Sequence, residues 1–417
     1  SVIVAMNVLF GDPDYLSAIE HGKRAKVTLE GHAPTLKNAQ LSAYASVGIR
    51  SDHESFTTEE AYQRIRNGLR LMMREGSVAK NLKETIKVFT EHKVDPRYGI
   101  MITDDVDAPD LIKDGHLDHL IRRAIEEGLD PITALQMVTI NTAENYRVDH
   151  EVGSVSPGRF ADLLIVKDLK KFEVATVIAN GEVIAKDGKM IKEIPLPEHN
   201  PVLLNTVKLK KKIEPDDLKF RVEKQSGKVK MIVMKVPPFI PIVEHDEDVF
   251  EIKDGVVYPD PSRDLAQISV VERYGISGEI SSAFIRGFNL KEGAIASSMA
   301  HDNHNIVVMG TNLSDMAFAV NRIAELQGGQ VAVKGGKVIA ELALPVAGLM
   351  SDEPPESVAE KVEALRKAAQ GLGSTIYHPF MFLIFIPLAA IPAYAITDKG
   401  FVDVMKQQLI SPILEYQ

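Results

Sequence analysis

Cysteine is absent from the 417 residues. That excludes disulfides and thiolate metal sites, fits a reducing cytoplasm, and leaves histidine, aspartate and glutamate as the available metal ligands. A surplus of basic charge is lacking too: 48 Lys and Arg stand against 58 Asp and Glu, for a formal charge of -10. Binding a phosphate backbone needs a dense supply of cations, so nucleic acid is not expected as the main partner. The one basic run, Lys208 to Lys212, is followed by Glu214, Asp216 and Asp217 and reads as a solvated linker. Long uninterrupted apolar runs are missing as well. The longest, Phe380 to Ile396, contains Pro387 and Pro392 and falls short of the ~20 residues of a spanning helix. It reads as buried strands and turns, and no membrane partner is expected. What remains is the composition of an ordinary globular enzyme, so function has to be sought in particular residues.

Ser1 leads directly into the apolar stretch Val2 to Met6, with no initiator methionine, which reads as a chain lacking its leading part. Over residues 1–150, β-like runs alternate with helix-compatible ones, the rhythm of parallel strands joined by crossover helices. Strands are predicted at Val2 to Met6, Lys26 to Leu29, Gly48 to Ser51, Leu71 to Arg74 and Gly99 to Thr103, with helices such as Thr58 to Arg70 and Lys80 to His92. Five strands so connected make the later part of an α/β fold, a TIM-type (β/α)8 barrel without its first strands. Residues 151–205 read as a small antiparallel β unit and a connector. Pro157-Gly158 opens it, apolar runs follow at Leu163 to Val166 and Val174 to Ile178, and Asn180-Gly181 turns the chain into Glu182 to Ala185. Residues 206–417 are expected to form a separate α/β domain, with strands at Val229 to Val236, Gln267 to Val271 and Ile306 to Met309. Its amphipathic helices are predicted at Ser314 to Leu326 and Ser357 to Ala369.

The catalytic groups of a β/α barrel project from the C-terminal ends of its strands. Three of the five predicted ends carry a metal-competent side chain: His32 in Glu30-Gly31-His32, His53 in Ser51-Asp52-His53-Glu54, and Asp104 in Thr103-Asp104-Asp105. Neutral imidazole and carboxylate suit Zn, Fe(II) and Mn(II), ions that acidify a bound water to near neutral pH. Asp104 is then placed to take a proton from that water and pass it to the leaving group. Successive residues leaving a strand point opposite ways, so Asp104 rather than Asp105 is assigned to the metal. Glu54 is a second catalytic candidate, a carboxylate able to orient His53. His116 and His119, three apart near a helix start, are either a polar surface or part of the site, and Glu75 reads as a functional carboxylate or a buried ion-pair partner.

Glu30-Gly31-His32-Ala33-Pro34, Ser51-Asp52-His53-Glu54, Arg74-Glu75-Gly76-Ser77 and Thr103-Asp104-Asp105 resemble the successive strand-end motifs of bacterial and archaeal adenine deaminases in the amidohydrolase superfamily. Gly115-His116-Leu117-Asp118-His119 and the Gly153 to Leu164 segment continue the likeness. So do Glu272-Arg273 and the run from Gly293 through His301-Asp302-Asn303-His304-Asn305, which is similar to that family's own C-terminal domain. The resemblance implies hydrolytic deamination of adenine to hypoxanthine and ammonia, with one or two divalent ions (Mn, Fe(II) or Zn) and a homo-oligomeric assembly. It makes His32, His53 and Asp104 metal ligands, Asp104 also the proton carrier. His119, His301, Asp302, His304 and Asn305 become candidates for contact with the purine. For the last four, a polar network tying down a loop is an equal alternative. The His-x-His pair that the family's first strand supplies occurs nowhere in this chain, and the place of its bridging Glu reads Val4-Ala5. Another cyclic amidohydrolase reaction, or a catalytically inactive purine-binding relative, is the remaining alternative.

Overall fold

The computed structural model describes residues 4–193, 195, 198–238, 240 and 242–417. The chain divides into two compact units: Ser1–Val106 with Lys113–Pro197, and Asp107–Ile112 with Glu198–Gln417.

The first unit opens with two helices, α1 (Ala5–Leu9) and α2 (Pro13–Arg24). The strand expected at Val2 to Met6 is corrected here: residues 2 and 3 lie outside the described residues, and Ala5 and Met6 are helical. A five-residue apolar run has no period of its own long enough to choose between helix and strand. What decides it is burial of Ala5 and Val8, three apart, in the cluster that holds Leu41 and Tyr44. Four parallel strands follow, β1 (Glu30–Gly31), β2 (Ser51–Asp52), β3 (Arg70–Arg74) and β4 (Gly99–Ile102), hydrogen-bonded in that order. The first two start later than expected, by four and three residues, and each ends immediately before a histidine. Helix α3 (Asn38–Ser46) joins β1 to β2, and α4 (Thr58–Arg66) joins β2 to β3. A capping box starts α4: Thr57 Oγ1 accepts the Glu60 N–H at 3.2 Å, and Glu60 Oε2 accepts the Thr57 N–H at 3.2 Å. The helix was expected to reach Arg70 but stops at Asn67-Gly68, where the chain turns with a positive φ. Strand β3 is buried on both faces past Arg70, as is usual for a strand of a parallel sheet.

A four-stranded antiparallel sheet completes this unit, with β5 (Leu163–Asp168), β6 (Glu173–Ala179), β7 (Glu182–Lys186) and β8 (Lys189–Met190) in sequential order. Asn180 and Gly181 both have positive φ between β6 and β7, the tight hairpin turn that Asn-Gly favours.

The second unit is built on an eleven-stranded sheet. Ser226–Lys235 pairs with Glu244–Lys253 along its whole length, and the fully buried Ala266–Val271 lies between Ile280–Arg286 and Ile306–Gly310. Pairing is antiparallel throughout except between Ser226–Lys235 and Ile280–Arg286. The region mixes strands and helices as expected, but hairpins rather than crossover helices connect most of its strands. Leu313–Leu326 packs Met316, Ala319, Val320 and Ile323 against Val271, Val308 and Val331 of the sheet. The reading of Phe380 to Ile396 as strands and turns is corrected in part. Pro379–Phe385 is a buried helix, with its proline at the start, and a strand begins only at Tyr394. A proline at the first helical position lacks only an N–H that would have had no partner there, so it marks a helix start as readily as a break. Among the described residues no helix is long and apolar enough to cross a membrane.

Glu272 directly follows the strand Ala266–Val271 and folds the next loop around itself. Its carboxylate accepts the N–H groups of Tyr274 (2.6 Å), Ile276 (3.2 Å), Ser277 (3.3 Å) and Gly278 (2.9 Å). Burial pushes this carboxyl up, but the backbone donors, Gly278 foremost, outweigh it and hold it below the usual glutamate range. A lowered folded-state pKa contributes stability above the unfolded value, and that contribution is lost as pH falls through the folded one. Glu272→Gln should therefore cost about 1–2 kcal/mol at pH 7. The deficit should shrink below about pH 4, the unfolded value of a glutamate, as measured by urea denaturation across that range.

Candidate metal centre

Each parallel strand delivers a polar side chain at or just past its C-terminal end. His32 follows β1, His53 and Glu54 follow β2, Arg74 ends β3, and Asp104 lies two residues past β4. Glycines set two of the spacings. A Cβ on Gly31 would lie 2.6 Å from the Ser51 carbonyl oxygen, so β1 approaches β2 this closely only without a side chain. A Cβ on Gly76 would lie 2.7 Å from the Thr103 oxygen and 2.6 Å from the Asp105 oxygen, which brings the end of β3 against the residues flanking Asp104.

The backbone N–H of His32 donates to the buried Tyr44 hydroxyl at 3.0 Å. Its ring then faces the next strand end: Nδ1 lies 3.3 Å from His53 Nε2 and 3.4 Å from Glu54 Oε1, and His53 Nε2 lies 3.4 Å from the same oxygen. Three ligand atoms thus form a nearly equilateral triangle. Ligands ~2.0–2.1 Å from a tetrahedral cation stand ~3.3–3.4 Å apart, so this is the spacing such an ion requires. His32 and Glu54 are buried and His53 half-buried. Burial lowers the His32 pKa, with Glu54 pulling the other way, so the imidazole is neutral at pH 7 and needs to lose no proton to bind a metal. His32 Nε2 is itself buried and has no hydrogen-bond partner among the described residues. The residues present fit a divalent cation.

Arg74 completes the site. Its guanidinium grips Glu54 with two nitrogens, Nη1 to Oε1 at 2.7 Å and Nη2 to Oε2 at 3.1 Å, while Nη1 also donates to Asp104 Oδ2 at 3.0 Å. Burial works against the Arg74 charge, but Glu54 and Asp104 outweigh it and raise its pKa. Of the expected metal ligands, His32 and His53 meet directly. Asp104 is joined to them through Arg74, and the third atom of the triangle belongs to Glu54, for which the sequence suggested only an orienting role. Asp104 has φ 61°, a left-handed conformation that Asp tolerates better than most residues.

The other candidates are placed as follows. His119 is half-buried on Leu117–Glu126, its N–H bonded to the His116 carbonyl at 3.1 Å. Glu75 is an ion-pair partner, 3.6 Å from Arg123. In the second unit, His301 Nδ1 lies 3.6 Å from Asp302 Oδ1 and its ring packs 4.9 Å from Phe385. His304, whose pKa burial lowers, gives its carbonyl to Arg273 Nε. Asn305 is buried and accepts the Arg273 backbone N–H at 3.2 Å, so its carboxamide is engaged in holding that loop. Arg74 carried one readable signal, a cation closing the apolar run Leu71 to Met73.

Residues 1–184 match the model of the amidohydrolase family, and residues 242–408 match the adenine deaminase C-terminal domain. Adenine deaminase 1 of Desulfotalea psychrophila is 41% identical over 407 residues, covering 97% of this chain and 68% of that protein. The adenine deaminase of Moorella thermoacetica is 40% identical over 409 residues, covering 97% and 68%. Among solved structures, a beta-aspartyl dipeptidase from Fervidobacterium islandicum aligns with TM-score 0.34 at 18% identity, over 44% of this chain and 54% of that one.

Proposed function

From the premise that the chain belongs to the adenine deaminase family of the amidohydrolases, we propose that it converts adenine and water to hypoxanthine and ammonia. The observation that carries this reading is the identity of about 40% along nearly the whole chain, running through the match to the adenine deaminase C-terminal domain. In this reading β1 to β4 are consecutive strands of a (β/α)8 barrel, and their C-terminal ends form its catalytic rim.

His32, His53 and Glu54 hold a divalent cation, Zn, Fe(II) or Mn(II), whose chemistry when bound is to acidify water so that a nucleophile exists at neutral pH. Asp104 takes one proton from water and delivers it to the ring nitrogen beside C6 as the C6–O bond forms; the remaining hydroxyl proton then passes to the exocyclic amine, the C6–N bond breaks, and ammonia leaves a C6 carbonyl. Arg74 holds the Asp104 carboxylate in position, its Nη1 donating to Oδ2 at 3.0 Å. His119, His301, Asp302 and His304 remain candidates for recognition of the purine, in purine salvage within the cytoplasm and in a homo-oligomer.

The test is the release of ammonia and hypoxanthine from adenine after reconstitution with Mn(II), Fe(II) and Zn(II) in turn. Equal amounts of both products, dependent on metal, are expected. Binding of adenine without turnover under any of the three metals would overturn the assignment.

A further inference from the structure

We infer that the buried pair of Asp52 and Arg64 is the positioning device of the metal centre, locking the loops after β1 and β2 together so that His32, His53 and Glu54 converge. The inference rests on the metal-centre reading above. Both side chains are fully buried, and Arg64 Nε donates to Asp52 Oδ2 at 2.9 Å. Their remaining contacts fall on the backbone around the ligands. Arg64 Nη1 donates to the Leu36 carbonyl at 3.1 Å, and Nη2 to those of Ala33 at 2.6 Å and Glu54 at 3.3 Å. Asp52 Oδ1 accepts the Ala33 N–H at 2.9 Å, and Oδ2 the Glu54 N–H at 3.3 Å. Ala33 directly follows His32, and Asp52 and Glu54 flank His53. One ion pair therefore grips both ligand loops by their main chains, from a helix that its own capping box holds in place.

Stability alone does not explain the pair. Taking two charges out of water costs more than their attraction commonly returns, and an apolar pair of similar volume is often as stable or more so. What an apolar pair cannot do is hold three carbonyls and two N–H groups in fixed register. Arg is suited to this task and Lys is not, because only the planar fork reaches several acceptors at set angles.

The experiment measures Zn(II) affinity of the 417-residue chain by competition with a chelating dye. The parent is compared with Arg64→Lys, with the double variant Asp52→Leu/Arg64→Met, and with His32→Ala. The inference expects Zn(II) binding to weaken about 10–100-fold in Arg64→Lys and in the double variant. Parent-like affinity in both, with loss in His32→Ala, would reduce the pair to a structural element and overturn the inference. Arg64→Lys, which keeps the buried charges balanced, decides alone should the double variant not fold. Parent-like affinity in His32→Ala would remove the metal-centre reading itself, and the inference with it.

Discussion

Asp104→Asn should lower kcat for adenine by about 10^2–10^4-fold, the range over which a positioned acid or base contributes, with KM and metal content near those of the parent. The carboxamide has the shape of the carboxylate and tolerates the same left-handed backbone, where φ is 61°. It can still accept the hydrogen bond that Arg74 Nη1 donates at 3.0 Å. What it cannot do is take up and hand on a proton. The effect should therefore fall on the chemical step and spare binding, which steady-state kinetics beside metal analysis resolves. A parent-like kcat would move proton transfer to another group. A loss of metal in step with activity would make Asp104 a ligand first and a proton carrier second.

The second large effect is on stability. Arg74→Met should destabilise the metal-free protein by about 3 kcal/mol, the low end for removing one partner of a buried ion pair, since Asp104 keeps some access to water. The arginine is the cationic partner of both Glu54 and Asp104, and its side chain and that of Glu54 are each only 7% exposed. Methionine retains much of the stem's packing beneath Phe56, over whose ring the guanidinium sits at 5.3 Å, but leaves two carboxylates without that cation. Saturating Zn(II) should then raise the denaturation midpoint more in the variant than in the parent, because a cation beside Glu54 replaces part of the lost charge and binds only the folded state. An equal response to Zn(II) in both proteins would place the ion away from Glu54.

The strand-end positions of His32, His53 and Asp104 are legible in the amino-acid sequence, because a β/α rhythm marks where strands end. The Asn180-Gly181 hairpin is legible for a related reason, since its residues carry their backbone preference with them wherever they occur. The errors lie where local pattern has no such hold. Val2 to Met6 and Phe380 to Ile396 are apolar runs without a long period, and their helices exist because of what they pack against.

By itself the sequence determined the strand-end residue types, the absence of thiolate ligands, and the family likeness that names the substrate. Only the tertiary structure decided that Glu54 closes the ligand triangle, that Arg74 stands between it and Asp104, and that Arg64 reaches Ala33, Leu36 and Glu54 from the next helix. The reason is physical. A residue's own propensity and period act over a few positions, whereas a buried charge is meaningful only with its partner, and these partners lie 10 to 31 residues away in the chain.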